Sequence, residues 1–287
     1  MKKHFTKILC ISLLVNFLLK GDQLNALVPY YYLPTIKNLE KESLSIGRNA
    51  YQLLYFGQIK ESLNLAKLAV KINKLDEKLW LILSESQVAN KLYEEALISL
   101  KKAEKINPNL SEIYFSKSNI FIKQLKLKDA KIALKKGLQI TPENHNAIFQ
   151  LGNIFLMEKN YSSAINIFDK AVKIKPEFWQ AINNQGLAYF EQDKINLSIK
   201  LFEKAIALEE NAEPLLGLAS CLSIKDMNSA ILLAKKALIR NPNYVEYDYR
   251  KEQLWGEKLQ ISTEKLLKND KLKQDIRMAK LKINQSS

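Results

Sequence analysis

The residues able to perform chemistry are few, and their spacing does not assemble a catalytic or metal site. The chain of 287 residues has two histidines, His4 and His145, and two cysteines, Cys10 and Cys221. A metal site needs several ligands close together, and a nucleophilic triad needs a histidine beside the nucleophile. No glycine-rich phosphate-binding loop is present. The sequence therefore predicts a protein that is not an enzyme and that has no cofactor and no metal.

Small residues recur instead at a fixed step of 34 positions. The first column is Ala50, Ser84, Ser118, Gly152, Gly186 and Ser220. Two further columns keep the same step, namely Ser62, Ala96, Ala130, Ala164 and Ser198, and then Ala69, Ala103, Gly137, Ala171 and Ala205. Such a period indicates copies of one supersecondary unit stacked side by side. Small side chains at fixed positions let the helices of neighbouring copies approach closely.

The segments between the small residues are predicted to be amphipathic helices. Tyr93 to Ile106 and Tyr161 to Ile174 carry apolar residues at i, i+3, i+4 and i+7. Prolines at the same 34-residue step, Pro108, Pro142 and Pro176, mark where helices should end. The chain is therefore predicted to be all-α.

This register resembles the tetratricopeptide repeat, a helix-turn-helix unit of 34 residues. The copy nearest to the pattern has Ile148, Leu151, Gly152, Phe155, Ala164, Phe168, Ala171 and Pro176. The resemblance implies an all-α, right-handed solenoid of about six repeats with a C-terminal capping helix.

The predicted domain organisation follows from this register. A leader covers 1–26, a Pro/Tyr-rich linker covers 27–42, and a charged capping helix and tail cover 245–287. The repeats between them, 43–244, are 43–76, 77–110, 111–144, 145–178, 179–212 and 213–244, the last being shortened.

The leader has the composition of a targeting segment. Three lysines precede an apolar run from Ile8 to Leu19, which is shorter than the roughly 20 residues that span a membrane. It fits a signal peptide cleaved after Ala26, with a short uncleaved membrane anchor as the alternative. In either case the lysines should stay in the cytoplasm and the repeats should cross the membrane. The sequence predicts a membrane-associated or exported protein on the extracytoplasmic or lumenal side.

The net charge of +14 favours acidic partners or an anionic membrane surface. Many of the lysines alternate with acidic residues along the predicted helices, as on a solvated face. The basic C-terminal stretch lacks the interleaved aromatic residues of single-strand nucleic-acid binding. Nucleic acid is therefore disfavoured as a partner, and an anionic membrane surface is retained as a secondary one.

In tetratricopeptide arrays the first helix of each unit lines a concave groove. The resemblance implies that the groove of this chain contains Phe115, Asn119, Asn146, Phe149, Gln150, Asn153, Asn183, Asn184 and Phe190. Amide side chains can both donate to and accept from a peptide backbone, and exposed phenylalanines would form an apolar patch. We expect a protein or an extended peptide as the partner, against the alternative of an ordinary polar surface.

Chaperone-binding members of the family hold a terminal carboxylate with a set of cations. Leu81, Phe115, Phe149 and Gln150 stand here where cations would be expected. A carboxylate-clamp co-chaperone is therefore disfavoured.

Two short segments, Phe178 to Gly186 and Glu252 to Leu259, resemble tetratricopeptide proteins of cyanobacteria and plastids. That group implies an assembly factor at a photosynthetic (thylakoid) membrane. The predicted function is a non-catalytic scaffold that binds a partner in its groove as an assembly or accessory factor at a membrane. The alternative is a soluble exported protein that interacts with envelope components.

Overall fold

A computed structural model describes residues 35–286, which form α-helices and two 3-10 turns and contain no strand. The chain divides into two compact units, Met1–Lys41 and Glu42–Ser287. The described part of the first unit is the beginning of one helix, and the predicted leader 1–26 lies outside the described residues.

Twelve helices fill the predicted repeat region. In chain order α1 to α12 are Ile36–Tyr55, Ile59–Ile72, Glu77–Ala89, Tyr93–Ile106, Ser111–Lys123, Leu127–Ile140, His145–Met157, Tyr161–Ile174, Trp179–Glu191, Ile195–Leu208, Ala212–Leu222 and Met227–Arg240. From α3 onward each odd-numbered helix packs on the even-numbered helix that follows it, and each pair packs on the next. The all-α solenoid of helix pairs predicted from the sequence is confirmed.

The three columns of small residues lie at the helix contacts. Their members are buried from Ala50 to Ser220, and so are Ala230 and Ala237 of the last pair. At Gly152 the ring of Phe168 lies so close that a Cβ atom would be 2.6 Å from its Cδ1 atom. The small side chains are therefore required by the close approach of neighbouring helices.

The turn inside each pair also repeats at 34 residues. Gly57, Lys91, Leu125, Lys159 and Asp193 all have positive φ, between 57° and 76°. A left-handed residue ends the first helix and redirects the chain into the second. The last pair is shortened at this turn and has no such residue at the corresponding position.

Helix α1 begins earlier than predicted. The linker was expected to run to residue 42, but the helix starts at Ile36. The Thr35 hydroxyl accepts a hydrogen bond from the Asn38 amide at 3.2 Å, so Thr35 caps the helix start just after the last linker proline.

The C-terminal segment, residues 242–286, differs from the single capping helix that was predicted. It contains a 3-10 turn at Pro242–Val245, helix α13 at Tyr247–Glu252, helix α14 at Glu257–Leu267, a second 3-10 turn at Asp270–Leu272 and helix α15 at Lys273–Ser286. Leu254 has a φ of 65° and Gly256 precedes α14 in an extended conformation, so the chain breaks between α13 and α14. The break lets α14 turn back onto the repeats, where it contacts α9 and α11.

Candidate functional site

The first helices of successive pairs, α1, α3, α5, α7, α9 and α11, form the surface predicted to bind a partner. We call this surface the first-helix face. Helices α3 and α5, α7 and α9, and α9 and α11 contact one another directly along it. The nine predicted groove residues all lie on α5, α7 and α9.

The three predicted phenylalanines do not form an exposed patch, and that expectation is wrong. Phe190 is only 4% exposed and belongs to the core. The ring of Phe149 stacks near Phe168 and Phe178, with centroids 5.6 and 5.0 Å apart. The ring of Phe115 fills the space over Gly137. These side chains pack against other residues of the chain instead of forming a patch that faces a partner.

Two of the predicted amides are also buried, and they bond to each other. Asn183 is 0% exposed, and its Nδ2 donates to Oδ1 of Asn184 at 3.0 Å. Asn184 Nδ2 donates in turn to Oδ1 of Asn153 at 2.8 Å, which ties α9 to α7. This amide chain joins repeats and is not presented to an outside peptide. Asn146 remains exposed, while Gln150 is half-buried.

Helix α14 covers this part of the face, and Glu191 fixes its beginning. The Glu191 carboxylate, at the end of α9, accepts from the backbone N–H groups of Lys258 at 3.2 Å and Leu259 at 3.0 Å. A carboxylate at this place satisfies free N–H groups of the first turn and interacts favourably with the helix dipole. Lys258 also forms an ion pair with Asp193. Sequence reasoning missed this contact because its partners are 67 and 68 residues apart.

Further along α14, hydroxyl groups join it to α11. Ser220 Oγ and Thr263 Oγ1 lie 2.7 Å apart in the core, and Ser262 Oγ donates to the Ser220 carbonyl at 2.9 Å. Ser220 is a member of the first small column. In the earlier copies this small position lies at a contact between helices of the repeats, and here it lies against α14. We call the area of α9 and α11 beneath α14 the covered half of the face.

The segment before α14 is anchored by a buried arginine. Arg250 is fully buried and donates to the carbonyls of Tyr244 at 2.7 Å and Val245 at 3.0 Å, and to Gln260 Oε1 at 2.8 Å. It also forms an ion pair with Glu264. These bonds satisfy the guanidinium and connect three parts of the C-terminal segment.

A buried carboxyl lies under the same segment. Trp255 Nε1 donates to Glu213 Oε1 at 3.1 Å. Burial raises the pKa of Glu213 to about 7, although hydrogen bonds from Trp255, Asn183 and Tyr244 act in the opposite direction.

The other end of the face carries a cleft of about 530 Å³. Its lining comes from α1, α3 and α5 and from the turn and start of α4, and no residue of the C-terminal segment takes part. The lining residues are Tyr51, Leu54, Tyr55, Ser84, Glu85, Val88, Ala89, Lys91, Tyr93, Ser116, Asn119 and Lys123. We call this area the open half. Of the nine predicted groove residues, Asn119 is the one in its lining.

The family can now be assigned. A family model for the tetratricopeptide repeat matches residues 145–178 and 180–211, and the same helix pairing extends from α3 to α12. The chain therefore contains tetratricopeptide repeats. No curated protein matches its sequence.

Solved structures show the same fold at low sequence identity. A tetratricopeptide repeat protein from Parabacteroides merdae has a TM-score of 0.60 and 17% identity, covering 83% of this chain and 99% of that one. MamA from Desulfovibrio magneticus has a TM-score of 0.53 and 20% identity, covering 61% and 98%. YrrB, described as a tetratricopeptide repeat protein with an unusual peptide-binding site, has a TM-score of 0.50 and 17% identity, covering 65% and 97%. None of these tests the resemblance to cyanobacterial and plastid proteins, which stays a prediction.

Within residues 35–286, no helix combines the length and the apolar character needed to cross a membrane. The same residues contain no group of three or more histidine, cysteine, aspartate or glutamate side chains placed to hold a metal ion.

Proposed function

We propose that this tetratricopeptide-repeat protein is a non-catalytic scaffold that binds an extended segment of a partner protein in the open half of its first-helix face. The observation that carries the proposal is the cleft over α1, α3 and α5, lined by apolar, aromatic and amide side chains. A concave site that combines apolar walls with a few polar groups is the usual form of a binding site. Peptide binding by the structurally similar YrrB supports the same class of function.

The covered half supports the proposal by showing what this face accepts. Side chains of α9 and α11 receive the C-terminal segment through carboxylates, hydroxyl groups and buried apolar contacts. We infer that the open half receives a segment of another protein with the same kinds of group.

Photocrosslinking tests where the partner binds. A benzophenone amino acid at Asn119, in the cleft, is compared with one at Ile132, which is 66% exposed on second helix α6. We expect a defined adduct from position 119, and a synthetic peptide of the crosslinked segment should compete for it. Equal adducts from both positions, or no competition, would contradict the proposal.

A second part of the proposal is the location of the protein in the cell. We propose that the protein acts as an assembly or accessory factor at a membrane, including a photosynthetic one, with a soluble exported protein at the envelope as the alternative. The leader 1–26 and the net charge of +14 support this placement. The membrane surface would then be a second partner.

Cell fractionation with intact-mass measurement separates the two alternatives. An anchored protein keeps its leader and sediments with membranes. A mature mass that lacks residues 1–26, found in the soluble fraction, would exclude the anchor and favour the exported form.

A further inference from the structure

Glu85 is a carboxylate without a partner inside the cleft of the open half. It lies on α3 and is half-buried. Its carboxylate makes no hydrogen bond and no ion pair with any side chain or backbone group of residues 35–286. Burial alone raises its pKa, with no neighbouring cation to act in the opposite direction. The cationic side chains in the cleft lining, Lys91 and Lys123, are exposed and do not pair with it.

Two other carboxylates on this face, both in the covered half, have partners. Glu191 accepts from two backbone N–H groups of α14, and Glu213 accepts from Trp255. In both cases these particular donors belong to the C-terminal segment that lies over the face. A partly desolvated carboxylate is costly unless a donor or a cation reaches it. Glu85 is therefore a carboxylate of the same kind, but no donor from residues 35–286 reaches it.

The surroundings of Glu85 also favour a cation. Tyr51, Tyr55 and Tyr93 line the same cleft, and the faces of aromatic rings attract ammonium and guanidinium groups. The Ser84 hydroxyl oxygen, also in the lining, is fully buried and has no hydrogen-bond partner. Its burial keeps this oxygen out of direct reach of a ligand, so the half-buried Glu85 carboxylate is the acceptor that a cation can contact. On the facing helix, Asn119 can bond to the backbone of an extended chain.

We propose that Glu85, with Tyr51, Tyr55 and Tyr93 around it, receives the side chain of a lysine or arginine in the partner segment. The cation offsets the desolvated carboxylate, its alkyl stem packs on the tyrosine rings, and its N–H groups reach Glu85. This site uses a carboxylate to bind a cation, whereas a carboxylate clamp uses cations to bind a carboxylate. This inference rests on the proposed function, since it names what the open half recognises.

Selection from a displayed library of random twelve-residue peptides tests the inference. The full-length protein, the Glu85→Gln variant and the Glu85→Lys variant are each used as bait. A control is Glu95→Gln, because Glu95 is an exposed glutamate on second helix α4 outside the cleft. We expect the unaltered protein and the control to enrich lysine or arginine at one position. Glu85→Gln should lose this preference, and Glu85→Lys should select aspartate or glutamate there.

An affinity measurement gives the size of the effect. The best peptide is compared with its analogue carrying citrulline or norleucine in place of the cationic residue. A hydrogen bond to a charged group predicts roughly tenfold weaker binding of the analogue, and the difference should vanish in Glu85→Gln. Equal thermal unfolding of the two proteins checks that the variant is folded.

The outcomes separate the inference from the proposed function. Peptides that bind the cleft without preference for a cation, in all baits alike, would overturn the inference and leave the scaffold function standing. If no selected peptide competes with the crosslink at position 119, the proposed function itself fails. A cation preference that survives in Glu85→Gln would also overturn the role of Glu85.

Discussion

The attachment of α14 depends on the absence of a side chain at Gly256, and replacement by alanine tests it. A Cβ atom at this position would lie 2.5 Å from both Cγ and Oε1 of Glu191. The backbone at Gly256 is extended, with φ −74° and ψ 171°, so alanine is not strained there by its own conformation. The main cost of Gly256→Ala is therefore the collision with Glu191.

The magnitude follows from the bonds that Glu191 must give up. Moving its carboxylate breaks the hydrogen bonds to the amides of Lys258 and Leu259. Hydrogen bonds to a charged acceptor contribute about 1.5 to 3 kcal/mol each. Water can replace part of this at a helix start, so we expect Gly256→Ala to weaken the docking of α14 by about 3 kcal/mol.

Hydrogen exchange at individual amides is the appropriate assay, because it reports local opening. Lys258, Leu259 and the rest of α14 should exchange roughly a hundredfold faster in Gly256→Ala, while exchange in α3 and α5 stays unchanged. In a Glu191→Ala background the added alanine should cost little, since the collision is gone. Unchanged protection of α14 in Gly256→Ala, or fully additive effects in the double variant, would refute the reasoning.

Three other predictions concern the turns, the buried carboxyl and the buried arginine. Leu125 is 74% exposed at a φ of 58°, so Leu125→Gly should raise the free energy of unfolding by about 0.5–1 kcal/mol. Leu68→Gly, at an exposed position inside α2, should instead lower it by about 1 kcal/mol. Denaturant titration measures both, and a lower stability of Leu125→Gly would contradict the conclusion that the turn favours a glycine. The pKa of Glu213 is raised to about 7 in the fold, so its contribution to stability is complete below about pH 4.5 and declines as the pH rises towards 7, by roughly 3 kcal/mol. Glu213→Gln should flatten this decline in thermal unfolding measured between pH 5 and 8, and an equally steep decline in the variant would exclude Glu213 as its source. Arg250→Ala should lower the free energy of unfolding by about 2–5 kcal/mol, because it leaves two buried carbonyls without donors at about 1–3 kcal/mol each. A loss below about 1 kcal/mol would show that the arginine does not anchor the segment.

The repeat fold could be predicted because the signal is periodic and local. Ala50, Ser84 and their column are small for the same steric reason in each copy, so a single sequence contains several repetitions of one physical constraint. The contact of Glu191 with α14 occurs once and joins residues far apart in the chain, so no spacing in the sequence indicates it.

The candidate site was predicted only in part, for a related reason. The family register places Phe115, Phe149 and Phe190 on the first helices. Whether a ring faces solvent or the core depends on its neighbours in the fold, such as Gly137 beside the ring of Phe115. Glu85 stands in the same column as Asn119 and Asn153, and the change from amide to carboxylate was a visible signal. The role of Glu85 follows from its burial and from the lack of a partner for its carboxylate, and neither can be read from the sequence.

The central claim is that a partner segment occupies the open half while α14 keeps the covered half. Hydrogen exchange of the full-length protein with and without a peptide selected on it tests this most directly. The account predicts added protection in α3 and α5 around Glu85 and Asn119, with no change in α9, α11 or α14. Added protection in α9 and α11 together with loss of protection in α14 would contradict it, because the peptide would then have displaced the C-terminal helix.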